Sequence, residues 1–169
     1  MIINHSKKIR ELYINLGKFI YLMSVIPQRI YGTQKRRARV RALIMVDEHV
    51  LLVRNWLGMQ EWTLPGGGAK RSETDQEALV RELQEELGIS IKQSSLIFLN
   101  RFMYNDIPTL FKVSCFYSTG PSNLKAQKLV PNHELIDAAW FPVNAVPKDF
   151  SEEFKEAYSL FQKQRGAER

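Results

Sequence analysis

A single cysteine, Cys115, in a chain of 169 residues excludes an intramolecular disulfide. It sits in the apolar run Phe111–Tyr117, where a buried structural thiol is expected, and nothing in the sequence asks for an oxidising compartment. Histidine is scarce as well, with three in all and none beside a cysteine at zinc-ligand spacing. The apolar stretches are too short and interrupted to span a bilayer, and no secretory signal, internal repeat or low-complexity tract is found. These absences leave a chain expected in the cytoplasm, free or peripheral to a membrane. It is large enough to bury a core without disulfides or a structural metal.

What is present is ordinary for a soluble globular domain: 44% apolar and 25% charged residues. The net charge of +6 and pI of about 9.5 call for an anionic partner, and nucleotides, RNA and anionic lipid all qualify. Much of the excess sits in Lys35–Arg41 and at Lys70-Arg71.

The N-terminal segment has a texture of its own. Ile9, Leu12, Tyr13, Leu16, Phe19, Ile20 and Met23 recur at three- and four-residue steps, which predicts one apolar face of a helix ended by Pro27. The basic run Lys35-Arg36-Arg37 follows. We therefore divide the chain into an amphipathic helix with a basic linker, 1–37, and a globular domain, 38–169. Packing of the helix on that domain, contact with an anionic membrane and formation of a homodimer are the alternatives for its face.

From Arg39 the pattern turns to strands. Val40–Val46 and His49–Arg54 flank Asp47-Glu48 as a hairpin, and Trp62-Thr63-Leu64 is a short extended stretch broken by Pro65-Gly66-Gly67-Gly68. Thr74 to Leu87 reads as a helix, with Thr74 and Glu77 as a capping box and Gly88 as the stop. Leu96–Met103, Leu110–Tyr117 and Ala138–Phe141 are further strands, and Phe150–Gln164 is a final amphipathic helix. Strands around a central helix, with a second helix at the end, predict an α/β sandwich.

The chemistry concentrates between Gly67 and Ile89. At 100° per residue, Glu85 lies about 60° to one side of Glu82 and Glu86 about 40° to the other, so three carboxylates share one helix face. Leu79, Leu83 and Leu87 form the adjacent face. Like charges at this spacing repel, and a hard, oxygen-seeking cation such as Mg²⁺ is the natural compensation. A solvated acidic face would explain the carboxylates alone. The surroundings say more: Gly66-Gly67-Gly68 lets the backbone approach a ligand, and Glu73 and Arg81 stand where they can pair across the helix start.

Together these residues resemble the Nudix box. Every defined position is met, by Gly67, Glu73, Arg81, Glu82, Leu83, Glu85, Glu86, Gly88 and Ile89. A chance match at the seven invariant positions is on the order of 10⁻⁹ per window. The lead-in Trp62–Gly67 and the Ala139-Trp140-Phe141 strand extend the likeness over roughly Arg39 to Pro147.

The resemblance implies an α/β/α sandwich with a mixed β-sheet, here preceded by the amphipathic helix. It also implies a pyrophosphohydrolase using Mg²⁺ or Mn²⁺, with Glu82, Glu85 and Glu86 as metal ligands and catalytic residues and the Gly67 carbonyl as a further ligand. Glu73 and Arg81 carry over as supports of the loop and helix. The general base is a box glutamate or a later acid such as Glu134.

The positions before Glu73, which are acidic-Pro-Gly in many relatives, are Lys70-Arg71-Ser72 here. Lys70 and Arg71 either meet substrate phosphates or sit in water. Arg41 and Arg54 are candidates for phosphate or ribose oxygens, and Trp56, Trp62 and Phe102 for base stacking or for the core. The expected partner is a small nucleotide such as a nucleotide sugar, ADP-ribose or a nucleoside triphosphate. An RNA 5′-pyrophosphohydrolase and a non-catalytic nucleotide- or membrane-binding module are the rival readings.

Overall fold

The computed structural model describes residues 10–23, 38–57, 61–104, 111–119 and 128–167. Helix α1 occupies 10–23. Pro27 and the basic run Lys35–Arg37 lie outside the described residues, as do the side chains of Phe102 and Cys115. The mixed sheet comprises β1 (Ala38–Val46), β2 (His49–Asn55), β3 (Trp62–Thr63), β4 (Ile97–Tyr104), β5 (Phe111–Thr119) and β6 (Leu135–Pro142). Its order is β3-β2-β1-β5-β4, with β6 also on β2. β1 and β5 run parallel, and the other pairs are antiparallel.

The β1–β2 hairpin turns on Asp47 and Glu48, with φ of 46° and 57°, the left-handed pair that a two-residue turn needs to match strand twist. β1 then reads as an unbroken apolar run because both faces are covered. Val40, Ala42, Ile44 and Val46 pack under helix α2 (Asp75–Leu87), while Leu43 and Met45 join Phe154, Ala157 and Phe161 of helix α3 (Glu152–Ala167). The result is an α/β/α sandwich. Leu79, Leu83 and Leu87 are fully buried, and each contributes roughly 1.5–3 kcal/mol.

The ends of α2 follow its sequence. The Thr74 side chain accepts from the Glu77 amide, the Glu77 carboxylate accepts from the Thr74 amide, and Gly88 closes the helix with φ of 70°. Helix α3 starts at Glu152 rather than Phe150, because that stretch first pairs with β3. Trp62 N donates to Asp149 O at 2.9 Å and Ser151 N to Trp62 O at 2.8 Å. Trp62 itself is core, edge-on to Phe141 with ring centroids 4.7 Å apart.

Candidate active site

Pro65–Gly68 lies between the start of β1 and the α2 face. It is fastened to β1 through Val40 N to Gly67 O at 2.9 Å and Ala42 N to Pro65 O at 3.0 Å. Two glycines are required here for different reasons. Gly66 has φ of 130°, and a Cβ on it would stand 2.3 Å from the Val40 carbonyl oxygen. A Cβ on Gly67 would stand 2.4 Å from a Glu82 carboxylate oxygen. The Glu82 carboxylate thus rests on bare backbone.

The three α2 carboxylates differ sharply in burial. Glu86, the one nearest the leucine face in angle, is 4% exposed, the Glu82 side chain is 14% exposed and the Glu85 side chain 53%. Gly66 N donates to Glu86 Oε2 at 3.2 Å. Burial holds the Glu86 carboxyl well above the usual range, at about 7, and the Glu82 and Glu134 charges add to the rise. The Arg41 charge and the Gly66 amide pull the other way.

Arg81 organises the exposed side. Its Nε donates to Glu73 Oε1 at 2.6 Å and its Nη2 to Glu73 Oε2 at 2.9 Å and to Gly68 O at 3.0 Å. Nη1 donates to both Glu82 at 2.8 Å and Glu85 at 2.9 Å. One planar guanidinium therefore ties the loop, its closing acid and two helix carboxylates together, as a flexible ammonium could not. Hydrogen bonds from the Arg81 side chain and the Lys70 amide bring Glu73 down to about 2.

Glu134 approaches from the other end of α2. Asn132 N donates to Glu86 O at 3.0 Å, Asn132 Oδ1 accepts from Glu134 N at 2.9 Å, and Trp56 N donates to Glu134 O at 2.8 Å. The exposed Glu134 is close enough for its charge to act on Glu86, while His133 is exposed in the turn.

The remaining expected site residues take varied positions around this loop and beyond it. Arg41 is 6% exposed; its Nη1 donates to Gly66 O and its Nε to Glu153 Oε2 at 3.0 Å. Its guanidinium braces the loop, because its position in β1 turns it toward α3. Arg54 pairs with Asp149 and lies 4.7 Å over the Trp62 ring. Trp56 stacks on Tyr13 of α1 at 4.9 Å instead of lying open to a base, and its Nε1 donates to Tyr13 O at 3.0 Å. Lys70 and Arg71 are exposed at the loop rim, and Lys70 N donates to Glu73 Oε2 at 2.9 Å.

Sequence reasoning does not single out Glu153, and it reads Gly66 only as one of the three glycines that let the backbone bend. Gly66 has a local signal, the triple glycine; Glu153 has none, since its partner is on a strand distant in the chain.

The family model described as the NUDIX domain matches residues 35–161. The chain is 39% identical over 61 residues to an RNA pyrophosphohydrolase of Marinomonas sp. (strain MWYL1), covering 36% of this chain and 38% of that protein. It is 35% identical over 68 residues to an 8-oxo-dGTP diphosphatase of Proteus vulgaris, covering 37% of this chain and 61% of that one. The matches thus span less than two thirds of either relative. The fold resembles that of a bifunctional NMN adenylyltransferase/ADP ribose pyrophosphatase from Francisella tularensis, solved with AMP and a Mn ion. That likeness has a TM-score of 0.64 at 20% identity and covers 85% of this chain and 47% of the other.

Proposed function

The chain belongs to the NUDIX domain family, and on that footing we propose that it hydrolyses a phosphoanhydride bond of a nucleotide with the help of a divalent cation, Mg²⁺ or Mn²⁺. The observation that carries this reading is the placement of Glu82 and Glu86 against the backbone of Gly66-Gly67, with Arg81 joining Glu82 to Glu85 and Glu73.

The donor set fits a hard cation. Glu82, Glu85 and Glu86 supply only oxygen, and the buried Glu86 lies in the field of two other carboxylates. Among the described residues, no three His, Cys, Asp or Glu side chains are gathered tightly enough to hold a metal by themselves. Mg²⁺ suits such a site, since it keeps waters and takes substrate phosphate oxygens beside one or two carboxylates. Glu82, Glu85 and Glu86 would hold it, directly or through its waters, with the Gly67 carbonyl alongside. When bound, it polarises phosphoryl oxygens and makes water acidic enough to attack.

The chain's own residues do the rest. Glu134, exposed and with its charge acting on Glu86, would take the proton as the water oxygen bonds to phosphorus and the bridging P–O bond breaks. Lys70 and Arg71, exposed at the loop rim, would meet phosphate charge on the substrate. The likeness to an 8-oxo-dGTP diphosphatase supports a small nucleotide as substrate. The likeness to an RNA pyrophosphohydrolase supports a second reading, 5′-triphosphorylated RNA.

The test is a panel of nucleotide sugars, ADP-ribose, nucleoside triphosphates and 5′-triphosphorylated RNA, incubated with Mg²⁺ and with a Glu86→Gln control. Metal-dependent cleavage of one class, lost in the control, is expected. Folded protein that leaves the whole panel intact would overturn the reading.

A further inference from the structure

Leu12, Leu16, Phe19, Ile20 and Met23 are between 41% and 71% exposed. At 100° per residue they fall within an arc of about 100° on α1. The adjacent side of the helix is committed to the domain. A Cβ on the buried Gly17 would stand 2.4 Å from the Trp56 carbonyl oxygen, Tyr13 stacks on the Trp56 ring, and Arg10 pairs with Asp137 at 3.4 Å. Because that face is held, the apolar stripe stays turned away from the domain.

The charge of the chain is concentrated in the same segment. Residues 1–37 contain eight Lys and Arg against one acid, Glu11, a net +7. The whole chain carries +6, so residues 38–169 sum to −1. A stripe of large aliphatic and aromatic side chains within a strongly cationic segment is complementary to one kind of surface, an apolar layer under a sheet of anions. Nucleic acid would answer the charge but not the stripe.

We propose that α1 seats this protein on the surface of an anionic lipid bilayer, with Leu12, Leu16 and Phe19 entering the headgroup boundary and the flanking cations meeting lipid phosphates. The described residues of α1 include the charged Arg10, Glu11 and Lys18 beside the apolar stripe, so the helix suits the interface plane. Among the described residues no helix is long and apolar enough to cross a membrane.

The experiment is co-sedimentation of the full chain with phosphatidylcholine vesicles, with and without phosphatidylglycerol. Binding to the anionic vesicles is expected, weakened by salt and weaker by about tenfold or more on phosphatidylcholine alone. Leu16→Glu with Phe19→Glu, both exposed, should cut it about tenfold or more. Neutralising Lys35, Arg36 and Arg37 to Gln should cut it on the order of 100-fold. Hydrolysis and the melting curve should be unchanged in all of these variants.

No binding to anionic vesicles would overturn the proposal, and so would binding indifferent to the stripe variants. A dimer in analytical ultracentrifugation that Leu16→Glu/Phe19→Glu dissolves, with vesicles unbound, would overturn it in favour of a second copy. RNA binding lost on neutralising the cations, again with vesicles unbound, would overturn it in favour of nucleic acid.

Discussion

Arg41 and Glu86 hold opposite polar groups of Gly66: the guanidinium donates to its carbonyl and the carboxylate accepts from its amide. The loop is thereby pinned between β1 and α2 by two buried side chains, and Glu153 completes the pairing of Arg41. Arg41→Met removes one hold and leaves the Glu153 carboxylate without its cation, with only the Thr63 hydroxyl 3.4 Å away. We expect a loss of about 3 kcal/mol, or roughly 6–12 °C in Tm, with turnover also reduced below the melt. A calorimetric Tm unchanged from wild type would count against this role.

Gly66→Ala and Gly67→Ala should fail in different ways. At Gly66 the added Cβ meets the Val40 backbone at a φ reserved for glycine, and nothing there can yield. This variant should lose several kcal/mol or not fold. At Gly67 the obstacle is the Glu82 side chain, which can swing away. Stability should stay within about 1 kcal/mol while the concentration of Mg²⁺ needed for activity rises. Equal melting temperatures for the two variants would contradict the distinction.

The pH dependence of the metal-free protein has two opposed parts. Glu86 is raised to about 7, so its contribution is full below the unfolded value near 4.5 and is lost as pH rises through 7. Glu73 is lowered to about 2, so its contribution is present above 4.5 and is lost as pH falls toward 2. In chelator, Tm should therefore decline from pH 5 to 8, and Glu86→Gln should flatten that decline. Mg²⁺ should raise Tm more at pH 8 than at pH 5, because it competes with the proton for the same carboxylate. Melts across this range with and without Mg²⁺ decide the matter.

Arg81→Lys keeps the charge and loses the fork. Glu73, Glu82, Glu85 and the Gly68 carbonyl share one guanidinium, and an ammonium cannot span them. Turnover should fall about tenfold or more, with a Tm loss of a few degrees. A Lys variant with wild-type kcat would show that charge alone suffices.

Glu134→Gln separates the general base from the metal ligands. If Glu134 takes the proton from water, kcat should fall by about 10²-fold or more while Mg²⁺ affinity holds. An unchanged kcat would return the role to a box glutamate.

The local elements are largely legible in the order of the residues. The capping box Thr74/Glu77, the Gly88 stop and the leucine face of α2 depend on residues three or four apart, and such contacts are set by helix geometry. The mixed sheet and the α/β/α layering agree with the family resemblance. The start of α3 is less legible, because Asp149 and Ser151 pair with Trp62, a partner far along the chain.

The sequence by itself determined the chemistry-bearing helix: which carboxylates share a face, which leucines anchor it, and that Gly66–Gly68 must bend beside it. Tertiary structure alone decided what each of those groups touches. The wheel makes Glu82, Glu85 and Glu86 neighbours, but only the packed sheet buries Glu86 and leaves Glu85 in water. Likewise, strand propensity places Arg41 in β1 and Trp56 just after β2, but only the layers on either side turn Arg41 toward Glu153 and lay α1 across Trp56. Periodicity is a property of short stretches of backbone; burial and charge pairing are properties of surfaces that meet only when the chain has folded.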